Sequence, residues 1–201
     1  MGAGLIKRIK TLPQGVAPVT DPAELKTESD VEQKLIYPFL CHPSYLALPT
    51  QWIRTKEYME PTPIDKGSGK RSGYVPDYSI WKRGFPLAVI EAKAPDERIE
   101  TALREARLYA GELNKRYPPG INPVEYVLAC NGVQFALTTS DSETEVLLAD
   151  VPEVQPGTSL LAAFKNTFNL DRLEKSADIL ATKFFGRRFY TVGSVLGGPR
   201  I

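Results

Sequence analysis

Asp77, Glu91 and Lys93 are the residues whose types and spacing best suit chemistry in this chain. Glu91 and Lys93 stand two apart in an apolar run from Pro86 to Ala94. On a strand they point to one face while Ala92 points to the other. Asp77 and Glu91 each lie seven residues from Gly84. A turn centred on Gly84 would set them directly opposite on an antiparallel pair, with Cβ atoms about 4.5–5.5 Å apart. Like charges so placed repel unless something positive lies between them. A magnesium ion, with oxygen ligands at about 2.0–2.1 Å, suits that gap. Lys93, one pleat along, can hold an attacking water or a developing phosphate charge. A merely solvated charged face is the bland alternative. Leu87 and Val89 argue against it, because they share that face and are apolar, and burying Asp, Glu and Lys together without a function is costly.

A second pair of acids stands apart from these. Thr27 suits a helix N-cap with Asp30 in the first turn. Val31, Leu35, Ile36, Phe39 and Leu40 then recur at helical spacing until Pro43. Glu28 and Glu32 fall inside that apolar stripe, where a carboxylate needs a partner. Other motifs fail. The stretch Gly67-Ser68-Gly69-Lys70-Arg71 lacks the first glycine and the final Ser/Thr of a phosphate loop, and Ser72 occupies the last glycine position of a dinucleotide fingerprint. His42 is the single histidine; beside Cys41 and Pro43 at a helix end it suits a cap or loop role. With only Cys41 and Cys130 it cannot build a zinc site, and no disulfide framework exists. Any catalysis must rest on carboxylates, lysines and a metal.

The elements that must position these groups follow from pattern. Residues 51–58 alternate as a strand, 61–73 form a Pro/Gly/Lys loop, and 74–81 and 86–94 read as strands around Lys82-Arg83-Gly84. Asp96 then caps a helix carrying Ile99, Ala102, Leu103, Ala106, Tyr109, Ala110 and Leu113 on one face. Strands at 125–130 and 134–139 flank Asn131-Gly132, a strong hairpin signal. Another strand at 145–149 and helices at 159–168 and 171–184 close the chain. The expected fold is α/β: a mixed central β-sheet flanked by helices, with additional C-terminal helices. Residues 1–26 read as an N-terminal arm, 27–150 as the core domain and 151–201 as a helical extension packed on it. In 201 residues the net charge is +1, so bulk charge does not coat nucleic acid, and any contact must be local. No apolar run spans a bilayer and no secretory signal opens the chain, which makes cytoplasmic the expected setting.

Pro76-Asp77, thirteen residues, then Glu91-Ala92-Lys93 resembles the PD-(D/E)xK nuclease signature. The phrases Gly73-Tyr74-Val75-Pro76-Asp77-Tyr78 and Pro86-Leu87-Ala88-Val89-Ile90-Glu91-Ala92-Lys93-Ala94 are similar to the N-terminal nuclease domain of type I restriction enzyme R subunits. The early helix glutamate, Glu105-x-x-x-Tyr109 where the family has Gln-x-x-x-Tyr, and the strand–Asn-Gly–strand agree. The likeness runs from about Thr27 to Thr139. It implies a restriction-endonuclease-like core and Mg²⁺-dependent hydrolysis of DNA phosphodiesters, with Mn²⁺ as a substitute ion. It implies Asp77, Glu91 and the Ala92 carbonyl as metal ligands, and Lys93 as the group orienting water. Glu28 or Glu32 would serve a second metal or its water; phrase alignment favours Glu28 and helix geometry allows Glu32 equally. Lys66, Lys70, Arg71, Lys82 and Arg83 are candidates for phosphate contact, and Glu105 and Tyr109 for contact with DNA or the site. Implied partners are DNA and the motor or specificity subunits of a restriction system; no motor's phosphate loop is present. The competing expectation is an inactive nuclease-fold module for DNA binding or assembly. A two-carboxylate glycosidase fits less well, since it leaves Lys93 without a role.

Overall fold

The computed structural model describes residues 20–56, 75–142 and 146–196, with side chains through Gly186. The Lys66, Lys70 and Arg71 loop and residues 1–19 of the expected 1–26 arm lie outside the described residues. Among the described residues, six strands form one sheet in sequential order: β1 (Ile53–Thr55), β2 (Tyr78–Lys82), β3 (Phe85–Ala92), β4 (Tyr126–Cys130), β5 (Gln134–Thr139) and β6 (Leu147–Asp150). Every neighbouring pair is antiparallel except β3 and β4, which are parallel. A parallel pair needs a crossover, and helix α3 (Ile99–Asn114) supplies it. The fold is a mixed-sheet α/β structure.

Helices cover both faces. On one side α3 lays Ala102, Leu103, Ala106, Ala110 and Leu113 against Val89, Val127, Ala129 and Ala136. The larger core lies on the other side. There the opening helix, α4 (Ser159–Thr167) and α5 (Leu170–Leu196) bury Leu35, Ile36, Phe39, Phe164, Phe168 and Leu173 against Ile80, Ile90, Leu128 and Phe135. Phe39 links three of these elements, its ring centroid 4.7 Å from Phe135 and 5.6 Å from Phe164. β3 is buried along its whole length, as an apolar central strand between two helical layers must be. Among the described residues no helix is long and apolar enough to cross a membrane.

Two local readings need correction. The β2–β3 turn centres on Arg83-Gly84, both with positive φ (52° and 82°), rather than on Gly84 alone. The register shifts by one between Trp81↔Pro86 and Ile80↔Ala88, leaving Leu87 as the extra residue on β3, and this restores the Tyr78↔Ile90 register. Asp96 does not cap α3. It lies in a turn closed by Glu97 N–H to the Ala94 carbonyl, and the helix starts at Ile99 with Arg98 as its N-cap. The expected Asn131-Gly132 hairpin does form between β4 and β5: Gly132 takes the left-handed position at φ +80°, while Asn131 Oδ1 accepts from the N–H groups of Val133 and Gln134. A Cβ on Gly132 would stand 3.0 Å from Val31 Cγ2, so this turn is seated against the opening helix.

Candidate metal centre

Local sequence chemistry fixes where the opening helix begins. Thr27 Oγ1 accepts from Asp30 N–H, and Asp30 Oδ2 accepts from Thr27 N–H, a reciprocal capping box. Helix α1 (Glu28–Asp30) therefore starts with Glu28. It widens into a π-helix over Val31–Ile36 and returns to α-helix in α2 (Tyr37–Cys41). Pro38 accounts for the widening. It has no N–H for the Lys34 carbonyl and its ring would crowd that group; Thr20 Oγ1 donates to the Lys34 carbonyl instead. Tyr37 N–H reaches back to the Glu32 carbonyl, and Tyr78 Oη donates to that same oxygen at 3.0 Å. Glu32 is thus tied to the start of β2 through its own backbone.

Asp77 stands immediately before β2, in line with Glu91 near the end of β3. Asp77 Oδ2 accepts from Ala92 N–H at 2.7 Å, and the Lys93 N–H continues the ladder to the Cys130 carbonyl. The site therefore forms at the carboxyl ends of the parallel strands β3 and β4, where α/β sheets commonly bind ligands. Carboxylate oxygens of Glu28, Glu32 and Asp77 lie within 4.8 Å of one another. Both helix glutamates reach the site. Glu32 is 5% exposed, Asp77 6% and Glu91 3%.

Lys93, 8% exposed, is gripped by carboxylates. Its Nζ lies 2.9 Å from Glu91 Oε1, 3.0 Å from Glu105 Oε2 and 3.6 Å from Glu28 Oε2. Burial alone would lower its pKa, but these carboxylates raise it above the ordinary lysine value. Glu91 Oε2 is buried and has no hydrogen-bond partner among the described residues. Burial, with Asp77 beside it, pushes Glu91 up to about 8. Burial pushes Asp77 up to about 6, with Glu32 and Glu28 adding to the rise and the Ala92 N–H opposing it. Tyr109 on α3 is raised to about 12 by burial and by Glu91 and Glu105. Two buried acids whose ionisation their surroundings oppose, one with an orphaned oxygen, fit a divalent cation with oxygen ligands.

Lys56 was not singled out by spacing. Its Nζ is 3.0 Å from Glu32 Oε1 and 3.9 Å from Asp77 Oδ1, and it is the partner that a buried Glu32 required. The only available signal was that requirement itself. Lys82 and Arg83 are not brought to the site. They occupy the far end of the β2–β3 hairpin, where Lys82 pairs with Glu174 at 2.6 Å and Arg83 with Asp178 at 2.5 Å. His42 Nδ1 accepts from Ser44 N–H, a local turn contact.

Residues 63–146 match the family model described as the N terminus of type I restriction enzyme R protein, so the chain resembles that domain over this span. The span includes Asp77, Glu91, Lys93, Glu105 and Tyr109, but not Glu28, Glu32 or Lys56. No curated protein and no solved structure matches the chain.

Proposed function

We propose that this chain is a divalent-metal-dependent endonuclease hydrolysing DNA phosphodiester bonds, the nuclease part of a restriction or DNA-defence system. The observation that carries this reading is the cluster of Glu28, Glu32 and Asp77 carboxylates at one end of the sheet, with the buried Lys93 ammonium linking Glu28 to Glu91 beside it. Similarity to type I restriction R proteins supports DNA as the substrate. Glu28, Glu32 and Asp77, with Glu91 and the Ala92 carbonyl, would hold Mg²⁺ or Mn²⁺. When bound, that ion supplies Lewis acidity, charge neutralisation at a phosphate, and a lowered pKa for a water.

The chain's own residues divide the remaining work. Lys93 stays an ammonium throughout the neutral range, so it donates to a water or phosphate oxygen and does not act as a base. Glu105 and Glu91 hold that ammonium from two sides and limit where it can reach. Tyr109 keeps its proton beside the same cluster. Residues 27–150 form the functional unit in this proposal, with 151–201 as an extension on it and cytoplasm as its setting. DNA and the motor or specificity subunits of a restriction system are the proposed partners.

The test is plasmid cleavage with and without Mg²⁺ or Mn²⁺ by wild type and Asp77→Asn. The amide can still accept from Ala92 N–H, so the fold should survive while the ligand charge is lost. Cation-dependent nicking by wild type and at least a hundredfold loss in the variant, about 2.7 kcal/mol of barrier, are expected. Equal cleavage by both would overturn the assignment. Cation binding without any cleavage would instead mark an inactive nuclease-fold module for DNA binding or assembly.

A further inference from the structure

We infer that Lys56 is the resident counter-ion of the metal-free centre, displaced by the entering divalent cation and then free to contact a DNA phosphate. The inference rests on the metal-site reading above and adds a residue to it.

The two lysines at this centre differ in a way that assigns them different tasks. Lys93 is buried, and three carboxylates surround its ammonium. Lys56 enters from the rim: its side chain is 58% exposed and only its tip engages the acids. Those acids are Glu32 and Asp77, two of the three residues whose oxygens approach within 4.8 Å. The ammonium therefore lies against the oxygens that a divalent cation would claim. Contacts of 3.0 and 3.9 Å to acids across an exposed stem hold it weakly, since such pairs are screened by solvent. A doubly charged ion that these carboxylates ligate directly outcompetes one flexible ammonium.

The backbone aims Lys56 there deliberately. It follows β1 in the left-handed region at φ 45°, a conformation long side chains rarely adopt. Its N–H donates to the Asp77 carbonyl at 3.0 Å, so main chain and side chain both close on Asp77. Glu91 Oε2, buried and unpaired among the described residues, supplies an independent sign that the acids are arranged for more positive charge than Lys56 and Lys93 provide. Once displaced, the Lys56 ammonium remains tethered at the mouth of the centre on a solvated four-carbon stem. The backbone phosphate of a DNA strand is the anion that would approach there.

Isothermal calorimetry with Mn²⁺ alone on the full 201-residue chain tests the first half. Lys56→Gln should bind Mn²⁺ about three- to tenfold more tightly than wild type, because the competitor is gone, and Lys56→Arg should stay near wild type. Unchanged or weaker binding by Lys56→Gln, with wild type binding normally, would overturn the inference while leaving the metal site standing. If neither protein binds Mn²⁺ at millimolar concentration, the metal-site reading fails and this one with it. The second half is read from duplex binding at saturating Ca²⁺. Lys56→Gln should lower the log–log salt slope by about 0.9, one phosphate contact, and a slope equal to wild type would overturn the phosphate role.

Discussion

At the scale of single residues, the centre is held in tension by its own carboxylates. Burial and neighbouring carboxylates favour the protonated forms, pushing Glu91 up to about 8 and Asp77 up to about 6, well above ordinary carboxylates. Between about pH 4 and pH 8 the native state binds more protons than the unfolded chain, so stability falls as pH rises. Metal-free protein should therefore melt several degrees lower at pH 8.5 than at pH 5.5, measured by calorimetry with a chelator present. Glu91→Gln should remove most of the slope between pH 6 and 8. Saturating Mg²⁺ should flatten it, since a bound cation favours the ionised acids. A metal-free melting temperature that rises across this range would show that the buried acids are not strained in this way.

At the scale of elements, the opening helix trades regularity for placement. Pro38 denies the Lys34 carbonyl its intrahelical hydrogen bond, and the resulting π-turn sets the Glu32 carbonyl against Tyr78. Pro38→Ala should restore an α-helical ladder, leave stability equal or higher, and weaken Mn²⁺ affinity severalfold by rotating Glu32. Affinity unchanged beside a normal melting curve would mean the π-turn has no bearing on the site. Gly132 sets the other limit on this helix. Gly132→Ala strains a φ of +80° and presses on Val31, so it should cost about 1–3 kcal/mol in denaturant unfolding. Much of this level was legible in residue types. Thr27 with Asp30 marked the helix start, the apolar stripe marked α3, and spacing about Gly84 put Asp77 in line with Glu91 despite a mislocated turn. The π-turn was not legible, because periodicity alone cannot distinguish a widened turn from an α-helix when the apolar stripe continues. Lys56 was hidden for another reason: it reaches the acids by a left-handed step from an edge strand, and no spacing rule encodes that.

For the whole molecule, charge argues against an autonomous enzyme. A net charge of +1 leaves little general attraction for DNA, and the carboxylates of the centre repel a phosphate backbone until a cation neutralises them. The turn cations do not compensate, since Lys82 and Arg83 are engaged by Glu174 and Asp178 of α5 at the end of the sheet opposite the site. Replacing both with Ala should leave the salt dependence of DNA binding unchanged and lower stability by no more than about 1 kcal/mol per pair. It follows that the isolated chain should be a weak, sequence-indifferent nuclease, needing high protein concentration or Mn²⁺ to show activity. Fused to a DNA-binding domain through a flexible linker it should gain at least a hundredfold in cleavage at nanomolar protein, because tethering replaces the missing affinity with effective concentration. Cleavage rates of the isolated and fused chains on one plasmid, at equal nanomolar concentration, measure this directly. An isolated chain that cut one defined sequence rapidly under those conditions would require a base-reading element within this chain, and would refute dependence on a partner.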